Sequence, residues 1–230
     1  NMMLCLANSE RIKLNNYMRM LFEVQDLSVA SPATVSRCGM VYVPDITLKW
    51  RPPVRSFCDT LPDNYNETDA YGEVVKAIPG WTEEAKDYIY DWCEKTLDPC
   101  FKFTRKHLQE LLPTVTQRGA VQLVHIIASI CKPGEGMDWT LPWEDLSKLL
   151  DKVFVFAFIW SIGGTLDPNC WDKFDEYVRN EEHFKKCGLP FDGLVYDHMV
   201  DLKQGKNVAW NEIVDDFVYD KNGSFFNMLV

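Results

Sequence analysis

The chain has 230 residues and a mass of 26.7 kDa, enough for one or two compact cores. Its formal net charge is −10, and no cluster of Lys and Arg forms a stripe along the sequence, which argues against nucleic acid as a partner. Asn1–Ala7 is too short and uncharged for a secretory signal, and the longest apolar run, Val153–Ile162, is about half of the roughly 20 residues a membrane helix needs, so no membrane role is expected. Eight cysteines in a chain of this length, with no signal segment, read as free thiols in a reducing compartment.

Taken in order, the elements fall into three parts. Residues 1–49 read as strand, turn, strand, short helix, strand: an apolar strand over Met2–Leu6, a turn at Asn8–Arg11, a strand over Arg19–Val24, and a final buried strand over Met40–Val43 that Pro44 stops. This is the pattern of the back third of a parallel sheet in an α/β subdomain. Within it, Ser31 can cap a helical turn, Pro32 suits its first position, and Gly39 can end it in a left-handed conformation. Arg37 is thereby held on a rigid element beside a sharp reversal of the chain.

Residues 50–187 read as mainly helical. Thr82 opens a helix with Glu83 and Glu84 in its first turn and Ala85, Ile89, Trp92 and Cys93 on one face. Asp98-Pro99 is expected to break it, with a separate helix over Thr104–Leu112 carrying His107, Leu108, Leu111 and Leu112 before Pro113. Gln117–Ile130 continues with a stripe of Val121, Val124, His125 and Ala128; Trp143–Ile162 is almost wholly apolar after Lys152 and so buried on all sides; Pro168–Arg179 is amphipathic through Trp171, Phe174 and Val178. Residues 188–230 change period: Val195, Met199 and Leu202 lie on a strand-like run, Lys203–Lys206 is a hairpin turn, Val208 and Trp210 begin the returning strand, and Asp220–Gly223 is a second turn.

Few residues carry a chemical signal. Arg37 is the sharpest, because a guanidinium stays charged and grips two phosphate oxygens at once, a device that neighbouring modules supply in phosphoryl transfer. The plain alternative is a cation complementing the negative end of its own helix. No G-x-x-x-x-G-K-[ST] loop is present; Gly163-Gly164-Thr165 has the glycines without the lysine or the spacing, so this stretch alone is expected to have no ATPase activity. Cys93, Cys100 and His107 are spaced by seven, but the expected break at Pro99 and the lack of any C-x-x-C pair leave them as buried thiols rather than metal ligands. The four histidines are scattered and no serine sits in a nucleophile motif.

The stretches LCLANSERIKL, MLFEVQDLSVA and SPATVSRCGMVY, within a match running from Leu4 to Val43 without a gap, resemble the second AAA+ module of a dynein heavy chain, the axonemal forms in particular. Weaker echoes are FAFIWSIGGTLD from Phe156 and the closing FVYDKNGSFFNMLV. The resemblance implies a piece running from just after the acidic Walker B strand to the start of the third module. It divides into the back of an α/β subdomain (1–49), a helical small subdomain (50–187) and a β-hairpin lead-in (188–230).

It further implies ATP or ADP with Mg²⁺ in the intact ring, held mainly by residues elsewhere, and Arg37 as an arginine finger acting in trans on the first module. Gln25, with Glu23 nearby, would stand where AAA+ proteins sense the γ-phosphate, although asparagine is usual there; a loop residue with no ligand is the alternative. Asn1 would lie beside Mg²⁺ and nucleotide. Arg118 would reach the module's own nucleotide, or else be a solvated helix arginine. The implied partners are the neighbouring modules of the same chain and, through the whole motor, microtubules and other axonemal subunits, in a cilium or flagellum. The competing reading is a non-catalytic helical scaffold, in which Arg37 is buried or paired with a carboxylate of its own chain.

Overall fold

The computed structural model describes residues 3–214, apart from 7, 20, 22, 25, 40, 42–47, 69, 70, 72, 112 and 113. The chain divides into two units, 1–43 and 44–230.

In the first unit, β1 (Met3–Cys5) pairs antiparallel with β2 (Arg11–Lys13), Leu4 opposite Ile12. The expected turn closes it: the Asn8 side chain accepts from the Glu10 amide at 3.0 Å, and Ser9 takes the left-handed φ of 70°. A connection this short can only join antiparallel strands, so the return strand comes at 11–13 rather than at 19–24. Arg19, Leu21, Glu23 and Val24 lie in no strand and are exposed, and Val41, in the expected final strand, is exposed at 88%. Every strand pair among the described residues is antiparallel, not parallel.

The second unit is built on helices. α2 (Arg51–Asp59) starts with two prolines in its first turn, where their missing amide hydrogens cost nothing, and buries Val54 and Cys58. A hairpin follows, β3 (Asn64–Thr68) and β4 (Val74–Pro79), which the residue pattern does not announce. α3 (Glu83–His107) begins as expected, with the Thr82 hydroxyl accepting from the Ala85 amide at 3.2 Å. It does not break at Pro99 but runs through to His107. Pro99 and Lys95, whose carbonyl loses its helical donor, both face solvent, where water can replace the bond. Asp98 is held in place from outside, accepting from Trp50 Nε1 and from Arg51 Nη2, each at 2.8 Å.

α4 (Thr116–Ile130) and α5 (Trp143–Ile162) pack side by side. The buried stripe of α4 is Ala120, Leu123, Val124 and Ile127, turned one residue from the expected face. Gly119 explains the shift, since a Cβ there would stand 3.3 Å from the Phe101 ring of α3. From Val153 onward α5 is buried except at Phe156 and Trp160, close to the all-round burial expected. Its aromatic residues knit the core: Phe154 stacks on Trp92 at 5.0 Å and Phe158 on Phe174 of α6 (Trp171–Asn180) at 6.2 Å. The one carboxylate on the inner half of α5, Asp151, accepts from Tyr88 Oη at 2.7 Å and Trp92 Nε1 at 3.0 Å, which ties α3 to α5.

The expected hairpin turn near 203–206 is present, but its strands are shorter than the pattern indicates. β5 (His198–Asp201) and β6 (Lys206–Ala209) pair with Met199 opposite Val208, while Val195 and Trp210 fall in single 3₁₀ turns. Gly205, at φ 63°, makes the reversal. Val200 and Leu202 enter the same core as the helices. The second expected turn, at 220–223, lies outside the described residues.

Candidate functional site

The Arg37 segment is a single helical turn with a well-made start. In α1 (Pro32–Val35) Ser31 is extended at φ −65°, ψ 147°, its Oγ accepts from the Thr34 amide at 3.2 Å, and Pro32 takes the first position. The turn ends at Val35, and the amide of Ser36 donates to the Pro32 carbonyl. Gly39 does not take a left-handed φ, so the helix ends without the expected glycine cap.

Arg37 therefore sits just past the end of the turn and is exposed. Its Nη1 donates to the Ala33 carbonyl at 2.6 Å, folding the side chain back along α1. Among the described residues no carboxylate pairs with it. One guanidinium edge thus caps the Ala33 carbonyl, which also accepts from the Ser36 hydroxyl at 3.2 Å, and the side chain is otherwise exposed.

Glu23 is exposed and makes no described contact with Arg37. Asn1 and Gln25 lie outside the described residues. Arg118, in the second unit, is exposed in the first turn of α4, and its amide donates to the Val115 carbonyl at 3.0 Å. Its side chain is paired with no described carboxylate. Gly163, in the stretch that has phosphate-loop glycines without the lysine, is buried with a helical φ of −65°. Its missing Cβ makes room for Phe174 and Tyr196, so it serves packing.

With α3 continuous, Cys93, Cys100 and His107 do share one helix, contrary to expectation. Seven residues of helix rise about 10.5 Å, so the three cannot meet at one ion. Cys93 and Cys100 are wholly buried and burial pushes both thiols well up, while His107 is exposed. Among the described residues no three His, Cys, Asp or Glu side chains are grouped to hold a metal.

A second gathering of charge escapes a linear reading. Lys102, Arg105 and Lys106 recur at helical spacing on α3 and line one open groove with Lys49, next to Asp98 and Phe101. The sequence signal was there in the i, i+3, i+4 spacing of the three α3 cations, but only a helix unbroken at Pro99 places Lys102 on the same face as the other two.

The family model described as the dynein heavy chain AAA lid domain matches residues 89–212. That span runs from α3 to the turn after β6. The chain is 35% identical, over its whole length, to dynein axonemal heavy chain 6 of Homo sapiens. It is 34% identical over 94% of its length to dynein axonemal heavy chain 1 of Mus musculus, and 29% identical over its whole length to dynein axonemal heavy chain 2 of Mus musculus. It spans only about 5% of the length of each of these proteins. Most of α3, all of α4, α5 and α6, and the β5–β6 hairpin fall within the matched span, and the chain belongs to the dynein heavy chain AAA lid family.

Proposed function

We propose that this chain is a working part of an axonemal dynein motor ring. In this reading residues 1–49 form the back of the second module's α/β subdomain, 50–187 its helical small subdomain, and 188–230 the lead-in to the third module. Arg37 acts as an arginine finger on the ATP site of the first module, and the helical unit passes closure of that site around the ring. ATP or ADP with Mg²⁺ is held mainly by other parts of the heavy chain, with Gln25, Glu23, Asn1 and Arg118 contributing to the second module's pocket. The activity belongs to the intact, microtubule-dependent ATPase of a cilium or flagellum. Its partners are the neighbouring modules, microtubules and other axonemal subunits.

The observation that carries this reading is the exposure of Arg37 on a capped, proline-started turn with no carboxylate partner described. A guanidinium with most of its donors free is available to a phosphate supplied by a neighbour. The scaffold alternative expects a buried or carboxylate-paired arginine. One observation favours a milder form of it: the Nη1 bond to the Ala33 carbonyl is what a helix-end cation makes. The two readings part on chemistry. Steady-state ATP turnover by the intact heavy chain is expected to fall steeply in Arg37→Ala, whereas a helix-end cation predicts unchanged turnover with, at most, slight loss of stability.

A further inference from the structure

We infer that the groove between Lys49-Trp50 and the C-terminal half of α3 docks an acidic polypeptide segment. Four exposed cations converge on it: Lys49 from one side, and Lys102, Arg105 and Lys106 from successive turns of α3. None of the four joins an ion pair among the described residues. In a chain with an excess of ten negative charges, four cations gathered along one groove reverse the overall sign locally.

Two carboxylates on this side of α3 are bonded chiefly to other partners, although the charge of Lys49 also acts on Asp98. Glu94 accepts from Arg51 Nε at 2.8 Å, and Asp98, on the groove wall, accepts from Arg51 and from Trp50. Lys49 is fixed at a left-handed φ of 53°, unusual for a residue with a side chain, so the chain holds it at the groove against its local preference. Arg105 and Lys106 also complement the C-terminal end of α3, which is the ordinary use of cations there. Lys49 belongs to another segment and Lys102 lies a turn earlier, so the helix end does not account for them.

The residue types choose the partner. Three of the four cations are lysines, point charges on flexible stems that suit spaced carboxylates better than a convergent grip on one phosphate, for which arginine forks are preferred. Phe101, half-buried in the groove, and the methylene stems around it offer apolar contact between the charges. The fitting occupant is an extended segment that mixes Glu or Asp with large apolar residues. The inference does not depend on the role of Arg37.

The test is calorimetric titration of the 230-residue chain with a short peptide of alternating Glu and Phe, and separately with inorganic tripolyphosphate. The peptide is expected to bind one-to-one, and the affinity should drop by about tenfold or more in the triple variant Lys102→Gln, Arg105→Gln, Lys106→Gln, and again with added salt. Lys49→Gln alone, on a separate segment, should cost about threefold, which keeps the test alive if the triple variant unfolds. Neutralising Lys173, Lys185 and Lys186, which lie off the groove, should change nothing. No binding by the unmodified chain, or equal losses in the off-groove variant, overturns the inference. So does tripolyphosphate that binds one-to-one and displaces the peptide, since the groove would then be a phosphate site.

Discussion

Asp98 illustrates how much one side chain can settle. It sits immediately before Pro99, where the helical conformation is disfavoured, and is held there by Trp50 and Arg51. Burial pulls its pKa upward, but the hydrogen bonds from Trp50 and Arg51 outweigh that and hold it below the usual carboxylate value. A carboxyl with a depressed folded pKa contributes stability that is present above its unfolded pKa and is lost as pH falls through the folded one. Urea unfolding of wild type and Asp98→Asn should therefore differ above about pH 4 and converge below it; a gap that persists at low pH would contradict this account. The carboxylate is partly exposed, so the gap is expected to be modest. Gly163 makes the opposite kind of point, through space rather than charge. A Cβ there would run into the Tyr196 hydroxyl and stand 2.6 Å from Phe174 Cε1, two rings packed in the core. Gly163→Ala should cost about 1–3 kcal/mol in denaturant unfolding, and a neutral result would mean that the aromatic cluster yields.

At the scale of elements, the helices with strong apolar patterns were legible and the exceptions have physical causes. Trp143–Ile162 was read to the residue because its apolar run is long and its ends carry Pro142 and Gly163. The start of α3 was legible from Thr82 and the acids after it. Its continuation through Pro99 was not, because a local rule was overridden by two partners 47 and 48 residues away in sequence. Pro99→Ala restores the amide that the Lys95 carbonyl lacks and should raise the melting temperature, since proline inside a helix costs about 3 kcal/mol relative to alanine in simple hosts. A lower melting temperature would mean that the ring itself holds the Asp98 network. β3 and β4 escaped the residue pattern because Val74 and Val75 are adjacent and both exposed, so the hairpin shows no alternation of buried and open positions. The expected strand over 19–24 rested on large apolar residues, yet Leu21 and Val24 are exposed at 100% and 61%. Apolar content alone did not tell a strand from an open segment.

Taken as a whole, the molecule joins a well-packed helical unit to a short first unit whose described apolar residues are largely open. Its eight cysteines divide along similar lines. Cys5 and Cys38 are exposed, Cys170 is half-buried, and Cys58, Cys93, Cys100, Cys131 and Cys187 are buried. Burial pushes the Cys58 thiol up to about 11 and that of Cys187 up to about 12. Maleimide labelling of the native chain should thus mark Cys5 and Cys38 first, Cys170 more slowly, and the buried five only after unfolding. Rapid labelling of Cys93 or Cys131 would contradict the packing of α3 and α4. The candidate site was less legible than the fold. The Arg37 turn could be read from Ser31 and Pro32, but the contact of its guanidinium with the Ala33 carbonyl could not, and the cationic groove needed a continuous α3 to gather Lys102 with Arg105 and Lys106.

The measurement that bears most directly on the Arg37 reading is single-turnover ATP hydrolysis by the intact motor, with nucleotide affinity measured alongside. An arginine that stabilises transferring charge predicts losses of about a thousandfold or more in the chemical step for both Arg37→Ala and Arg37→Lys, because an ammonium cannot reproduce the two-pronged grip, with affinity little changed. Unchanged single-turnover rates in stably folded variants would contradict it and leave Arg37 as the cation that closes α1.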